Sequence, residues 1–289
     1  MFKKLELGDI ETIKPFFHFS GSRINDNTVA TTIMWRDFFF TEYLVLDETL
    51  ILKVKFLDLG TSFAVPMGKD VPKALCFIRQ WCEEHETPMI ICNAATDEVE
   101  ALSAHLSFDS RVERDLADYL YKAEDLAWLA GKKYNGQRNH INHFLRTYEY
   151  SLEELKGENI KEALDLLDRL GVEENPTPIY LHERAVTIEV LERYETYGMD
   201  GLALRANGTV VAFAVGEALN GVLFVHIEKS DSKYRGAPQM IASRYVQHML
   251  GAGITHVNRE EDLGDEGLRK SKLSYHPVEM LQKHTLFIK

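Results

Sequence analysis

Cysteine is scarce: Cys76, Cys82 and Cys92 are the only three in 289 residues. An odd count without CxxC spacing predicts neither a disulfide scaffold nor a structural zinc site. The eleven histidines show no HExxH or comparable ligand spacing, so no metal is expected. No Walker A loop and no nucleophile elbow is present, which sets aside P-loop nucleotide chemistry and serine-hydrolase chemistry. No apolar run approaches the length of a membrane span. The opening residues MFKKLELGDIETI carry basic residues without the apolar stretch of a secretory signal. A cytoplasmic protein is therefore expected.

What is present is ordinary globular composition, with 45% hydrophobic and 27% charged residues, on a chain long enough for one large or two medium domains. The net charge of −12 opposes broad binding to nucleic acid or to an anionic membrane surface. Positive charge is local. Between Leu126 and Tyr148 there are four Lys or Arg residues and no Asp or Glu.

The most informative stretch is Val222–Leu250. A short β-branched and aromatic run predicts a buried strand, with Val222, Phe224, His226 and Glu228 on one face and Leu223, Val225 and Ile227 on the other. A basic turn containing Gly236 follows, then a helix carrying Met240, Ile241, Tyr245, Met249 and Leu250 near the 3.6-residue period. A turn of this kind at a helix N-terminus can hold an anion, and it is equally an ordinary strand-turn-helix connection.

Around it, strands are predicted at Glu42–Leu46, Thr49–Phe56, Ser62–Pro66, Pro88–Asn93 and within Arg111–Lys122, with helices at Val71–His85 and Asp97–Leu106. The second half predicts helices at Asn159–Leu170 and Pro178–Tyr197 and a hairpin about Asn207-Gly208, which suits a tight primed turn. A strand within Gly251–Asn258, a helix at Asp265–Leu273 and a closing strand at Glu279–Ile288 complete the chain. Both halves run hairpin, strand, helix, strand, helix, strand. This repeat predicts an α/β chain of two similar domains, residues 1–130 and 131–289.

The blocks RNHINHFLR (Arg138–Arg146), HIEKSDSKYRGAPQMI (His226–Ile241) and NREEDLGDEGLRKSKLSYHP (Asn258–Pro277) resemble the family of the phosphatidylglycerol lysyltransferase C-terminal domain. The resemblance implies two tandem GNAT-like domains with mixed sheets, related to the Fem-type aminoacyltransferases that extend peptidoglycan bridges. It also implies transfer of an aminoacyl group from tRNA to a lipid or amine, with the active site in the second domain.

Acyl transfer needs a proton acceptor, donors for the developing oxyanion and a place for the donor's phosphates. Glu228 stands where this fold commonly holds a general base. His226 on the same face, and Glu217 on the preceding strand, are alternatives, each also readable as a half-buried structural polar group. Tyr275 falls where some GNAT enzymes place a general acid, or packs. Lys233, Arg235, Gly236 and Ala237 form the candidate cofactor turn, although Pro238 stands where coenzyme A-binding members tend to have Gly or Ala and offers no N–H. Arg138, Asn139, Asn142 and Arg146 can share a helical face that binds phosphate or carboxylate, or is merely solvated. By resemblance, Arg259, Arg269 and Lys272 line a donor or acceptor pocket. Glu260, Glu261 and Asp262 are discounted as metal ligands because adjacent residues do not converge on one ion.

The expectation is thus a soluble GNAT-superfamily acyltransferase using aminoacyl-tRNA, with a small-molecule or peptide acceptor favoured over lipid by the chain's acidity. An acyl-coenzyme A-dependent N-acyltransferase and a non-catalytic binding module remain as alternatives.

Overall fold

The computed structural model describes all 289 residues, the side chain of Leu57 excepted. The chain forms two compact units. The first comprises Met1–Tyr119, Glu261–Arg269 and Met280–Lys289, and the second Leu120–Glu260 and Lys270–Glu279.

The first unit holds an eight-stranded mixed sheet. Its strands run Lys3–Lys4, Glu42–Leu46, Thr49–Lys55, Thr61–Phe63, Ile90–Ala95, Lys283–Ile288 and Phe108–Val112, with Met67–Gly68 paired to Thr49–Lys55 off this path. The helix Val71–Glu84 begins where the Asp70 carboxylate accepts the Lys73 N–H, with Pro72 in its first turn. It buries Ala74, Leu75, Ile78 and Cys82 against Ile51, Phe63, Ile91 and Leu286 of the sheet. Cys82 and Cys92 are thus small core side chains, as a buried thiol usually is.

The second sheet has seven strands in the order Glu279–Leu281, Asp118–Lys122, His256–Asn258, Val222–Ser230, Thr209–Leu219, Asp200–Ala206 and Tyr150–Glu154. Asn207 and Gly208 both take positive φ, as a primed hairpin turn requires, and join Ala206 to Thr209. The helix Ala237–Met249 buries Met240, Ile241, Tyr245, Val246 and Met249. Among the described residues, no helix is long and apolar enough to cross a membrane.

Two features differ from expectation. The first unit's leading segment ends at Tyr119, so the expected break at residue 130 falls inside the second unit. The closing stretch Glu279–Ile288 is not one strand of the second sheet. It divides into Glu279–Leu281 and Lys283–Ile288, and the latter lies in the first sheet between Ile90–Ala95 and Phe108–Val112. In turn, Leu120–Lys122 pair antiparallel with His256–Asn258 in the second sheet. The repeated halves therefore trade their final strands.

A buried lysine anchors the traded strand. Lys283 Nζ lies 2.7 Å from Asp26, 2.8 Å from Asp118 and 3.0 Å from Glu261 carboxylate oxygens, and donates to Asn25 Oδ1 at 2.6 Å. Burial would strip its charge, but the carboxylates hold its pKa well above the ordinary value. Burial also raises Asp118 to about 7, against the pull of Lys283. Lys283→Met should cost about 3–5 kcal/mol, because it leaves buried carboxylates without their cation. Denaturant melts check this; a loss below about 1 kcal/mol would mean the cluster relaxes at little cost.

Candidate active site

The second unit's site begins with two strands that separate. Val222, Leu223 and Phe224 pair in parallel with His256, Val257 and Asn258, and the pairing stops there. On the other edge, Val215 pairs with Ile227 but Gly216 pairs with Val225, leaving His226 as the extra residue of a β-bulge. Gly216 permits this approach, since a Cβ there would sit 2.0 Å from the Phe224 carbonyl oxygen. The simple alternation predicted for Val222–Glu228 is therefore broken at the residue that matters most.

His226 is fully covered and held at both ring nitrogens: Nδ1 lies 2.9 Å from Glu260 Oε1 and Nε2 3.2 Å from Glu217 Oε1. Burial pushes its pKa down, yet the bonds to Glu217 and Glu260 prevail and raise it to about 9. At neutral pH it is an imidazolium donating both N–H groups, with no lone pair to accept a proton. Glu260 reaches it because the chain turns after Asn258, whose side chain accepts the Glu260 N–H at 2.6 Å, with Glu260 itself at positive φ.

Beside this triad, Arg259 Nη2 donates to both Glu228 oxygens, at 2.9 and 3.1 Å. The guanidinium lies 4.9 Å from the centre of the Tyr275 ring. Its Nη1 is buried and has no hydrogen-bond partner among the described residues. Tyr275 is buried, and burial, opposed by Arg259, pushes its hydroxyl up to about 12. Lys272 is spent on the backbone, donating to the carbonyls of Arg259 at 2.7 Å and Glu260 at 3.2 Å. It shapes the turn that presents both side chains.

The remaining candidates separate. Arg269 belongs to the first unit, where it pairs with Asp262 at 2.7 Å and Asp115 at 2.6 Å. Arg138 donates to the carbonyls of Leu129 and Gly131 and to Asn135 Oδ1, closing the end of the helix Ala123–Trp128. Asn139, Asn142 and Arg146 are exposed on the helix Asn135–Thr147. In the turn, Lys233 and Arg235 are exposed and Gly236 takes φ +96° as the N-cap. The Ala237 N–H is already bonded to the Tyr234 carbonyl, and a Cβ on Gly236 would meet the His140 carbonyl oxygen at 2.3 Å. With Pro238 next, the turn has few N–H groups left for a phosphate.

Glu260 is the residue of the site that sequence reasoning passed over, having weighed it only as a metal ligand. Its run Glu260, Glu261, Asp262 serves separate cations: His226, Lys283, and Arg114 with Arg269.

Two mixed sheets, each with a parallel strand pair, give the chain the GNAT type of fold. The profile described as phosphatidylglycerol lysyltransferase, C-terminal, matches residues 17–287, and the chain belongs to that family. A crystal structure of a conserved protein of unknown function from Bacteroides thetaiotaomicron is similar at 33% identity and TM-score 0.89, covering 100% of this chain and 99% of that one. The structure of L-PGS from Bacillus licheniformis shares the fold at 16% identity and TM-score 0.69, covering 99% of this chain and 93% of that one. An uncharacterized protein of Mycoplasmoides gallisepticum is 26% identical over 181 residues, 60% of this chain and 56% of its own length, so the match spans little more than half of that relative.

Proposed function

We propose that the chain is a GNAT-superfamily acyltransferase that moves an aminoacyl group from aminoacyl-tRNA to an amine or hydroxyl acceptor. The observation that carries this reading is the Arg259–Glu228 pair. Arg259 Nη2 holds the carboxylate while Nη1 is buried with no hydrogen-bond partner among the described residues. A buried donor left unpaired is costly, and a substrate oxygen would satisfy it. In the proposed step the acceptor nitrogen or oxygen attacks the ester carbonyl carbon. Arg259 Nη1 holds the oxyanion, and Glu228 takes the acceptor's proton. The carbon–oxygen bond to the tRNA ribose then breaks, and that proton passes to the leaving oxygen. His226 is a positioning residue, since it touches Glu217 and Glu260 and has no free nitrogen.

Two features favour this donor over acyl-coenzyme A. The turn around Gly236 has little to offer a pyrophosphate. Lys132, Asn139, Asn142 and Arg146 are exposed in the stretch without acids and suit an RNA backbone. A small-molecule or peptide acceptor suits the acidic chain better than an anionic lipid.

Glu228→Gln should keep the fold and aminoacyl-tRNA binding while turnover falls about 100-fold or more. Radiolabel transfer to a panel of amines, with filter binding alongside, reads both quantities. Unchanged turnover in this variant refutes the base assignment. Transfer from acetyl-coenzyme A but not from aminoacyl-tRNA would replace the proposed donor.

A further inference from the structure

The first unit has a strand divergence of its own. Thr61–Phe63 and Ile90–Ala95 run parallel but pair only at Phe63 and Ile91. Beyond that pair lies a cavity of about 70 Å³. Its apolar wall is aromatic: Trp35, Phe39 and Phe56, with ring centroids 5.8 Å apart for the first two and 5.6 Å for the last two. Its polar end holds Asp26 and Asn93, hydrogen-bonded to each other, beside Cys92. Asn93 takes φ +52°, a left-handed conformation in the strand that turns its amide to Asp26.

The carboxylate at that end belongs to Asp26, which also pairs with the ammonium of Lys283 at 2.7 Å. An anion entering the cavity would meet the Asp26 carboxylate, and a neutral apolar group would lie against the polar pair. A cation gains from both walls, since aromatic faces attract positive charge and Asp26 adds a charge-assisted acceptor. The space is about half of the roughly 150 Å³ that holds a benzene ring, enough for an ammonium on a short alkyl stem.

We propose that this aromatic and carboxylate cavity between the diverging strands of the first unit is a binding site for a primary alkylammonium group. The claim concerns binding alone and is independent of the transfer reaction assigned to the second unit. Its failure would leave that assignment standing, and the converse holds.

The test titrates the full chain with ethylammonium while following tryptophan fluorescence, with ethanol and acetate as neutral and anionic controls of similar size. The expected result is a saturable change with ethylammonium alone. It should be absent in Trp35→Phe and weakened about tenfold in Asp26→Asn, as for loss of a charge-assisted hydrogen bond. Asp26→Asn also disturbs Lys283, so the comparison of ethylammonium with ethanol on the unaltered protein decides if that variant unfolds. An equal response to ethanol would mean an apolar void and overturn the proposal. So would a response that survives in Trp35→Phe, or no response to ethylammonium.

Discussion

Replacing His226 by alanine is expected to remove about 3–5 kcal/mol of stability at pH 6, because two carboxylates lose a buried shared cation. The effect depends on pH, and its sign follows from linkage. In the folded chain burial pushes the His226 pKa down, but the hydrogen bonds it donates to Glu217 and Glu260 outweigh this and raise it to about 9. The unfolded value is about 6.5. The folded state therefore binds the proton more tightly. Its stabilising contribution, on the order of 3 kcal/mol, is fully present below about pH 6.5 and is lost as pH rises through about 9. Guanidinium melts from pH 6 to pH 10 should show the unaltered protein losing stability across that window and the alanine variant lacking this component. Equal slopes in the two proteins would mean that His226 is neutral and that the paired carboxylates do not hold it charged.

The second large effect is expected at Arg259. Arg259→Met removes the donor proposed for the oxyanion and the partner of Glu228 together. Turnover should fall about 10²–10³-fold, the range for losing one oxyanion donor, with the loss in kcat rather than KM. Arg259→Lys keeps a charge but has no planar fork with which to hold Glu228 and a substrate oxygen at once. It should recover little of the rate. Single-turnover kinetics on both variants, with circular dichroism to confirm folding, measure this. A lysine variant of full activity would reduce Arg259 to a point charge. An unaffected methionine variant would remove it from the chemistry.

Much of this arrangement could be read in the residues. The alternation in TLILKVKF, the primed turn at Asn207-Gly208 and the apolar spacing along Ala237–Met249 report local geometry, and local geometry is what such patterns encode. The strand Tyr150–Glu154 escaped because it lies at a sheet edge and YSLEE offers only two alternating apolar residues, Tyr150 and Leu152. The bulge at His226 escaped for a different reason. It is set by Gly216 on the neighbouring strand, and nothing within Val222–Ser230 announces it.

The traded final strands were hidden in the same way, since DYLYK and KHTLFI are both plausible strands and partner choice is not a local property. One trace of it was visible. Lys283 is a charged residue heading an apolar strand, and its carboxylates come from Asp26, Asp118 and Glu261, far apart in the chain. Of the candidate site, Glu228, His226 and Arg259 were named from strand face and resemblance. Their roles depended on pairing. Arg259 takes Glu228, and Glu260 takes His226, because the chain turns after Asn258. Arg138 was named for its place on a basic helical face and Lys272 by resemblance, and neither signal distinguishes a ligand contact from a guanidinium or ammonium spent on backbone carbonyls.

We assign aminoacyl transfer to the diverging strands of the second unit, through Glu228 and Arg259. The most direct test is a single-turnover assay mixing the unaltered protein, Glu228→Gln and Arg259→Met with radiolabelled aminoacyl-tRNA and an amine acceptor. Label should move to the acceptor with the unaltered protein and at least about 100-fold less with either variant, with tRNA binding retained by all three. Transfer at equal rates by all three proteins would contradict this assignment, as would tRNA bound without any transfer to any acceptor.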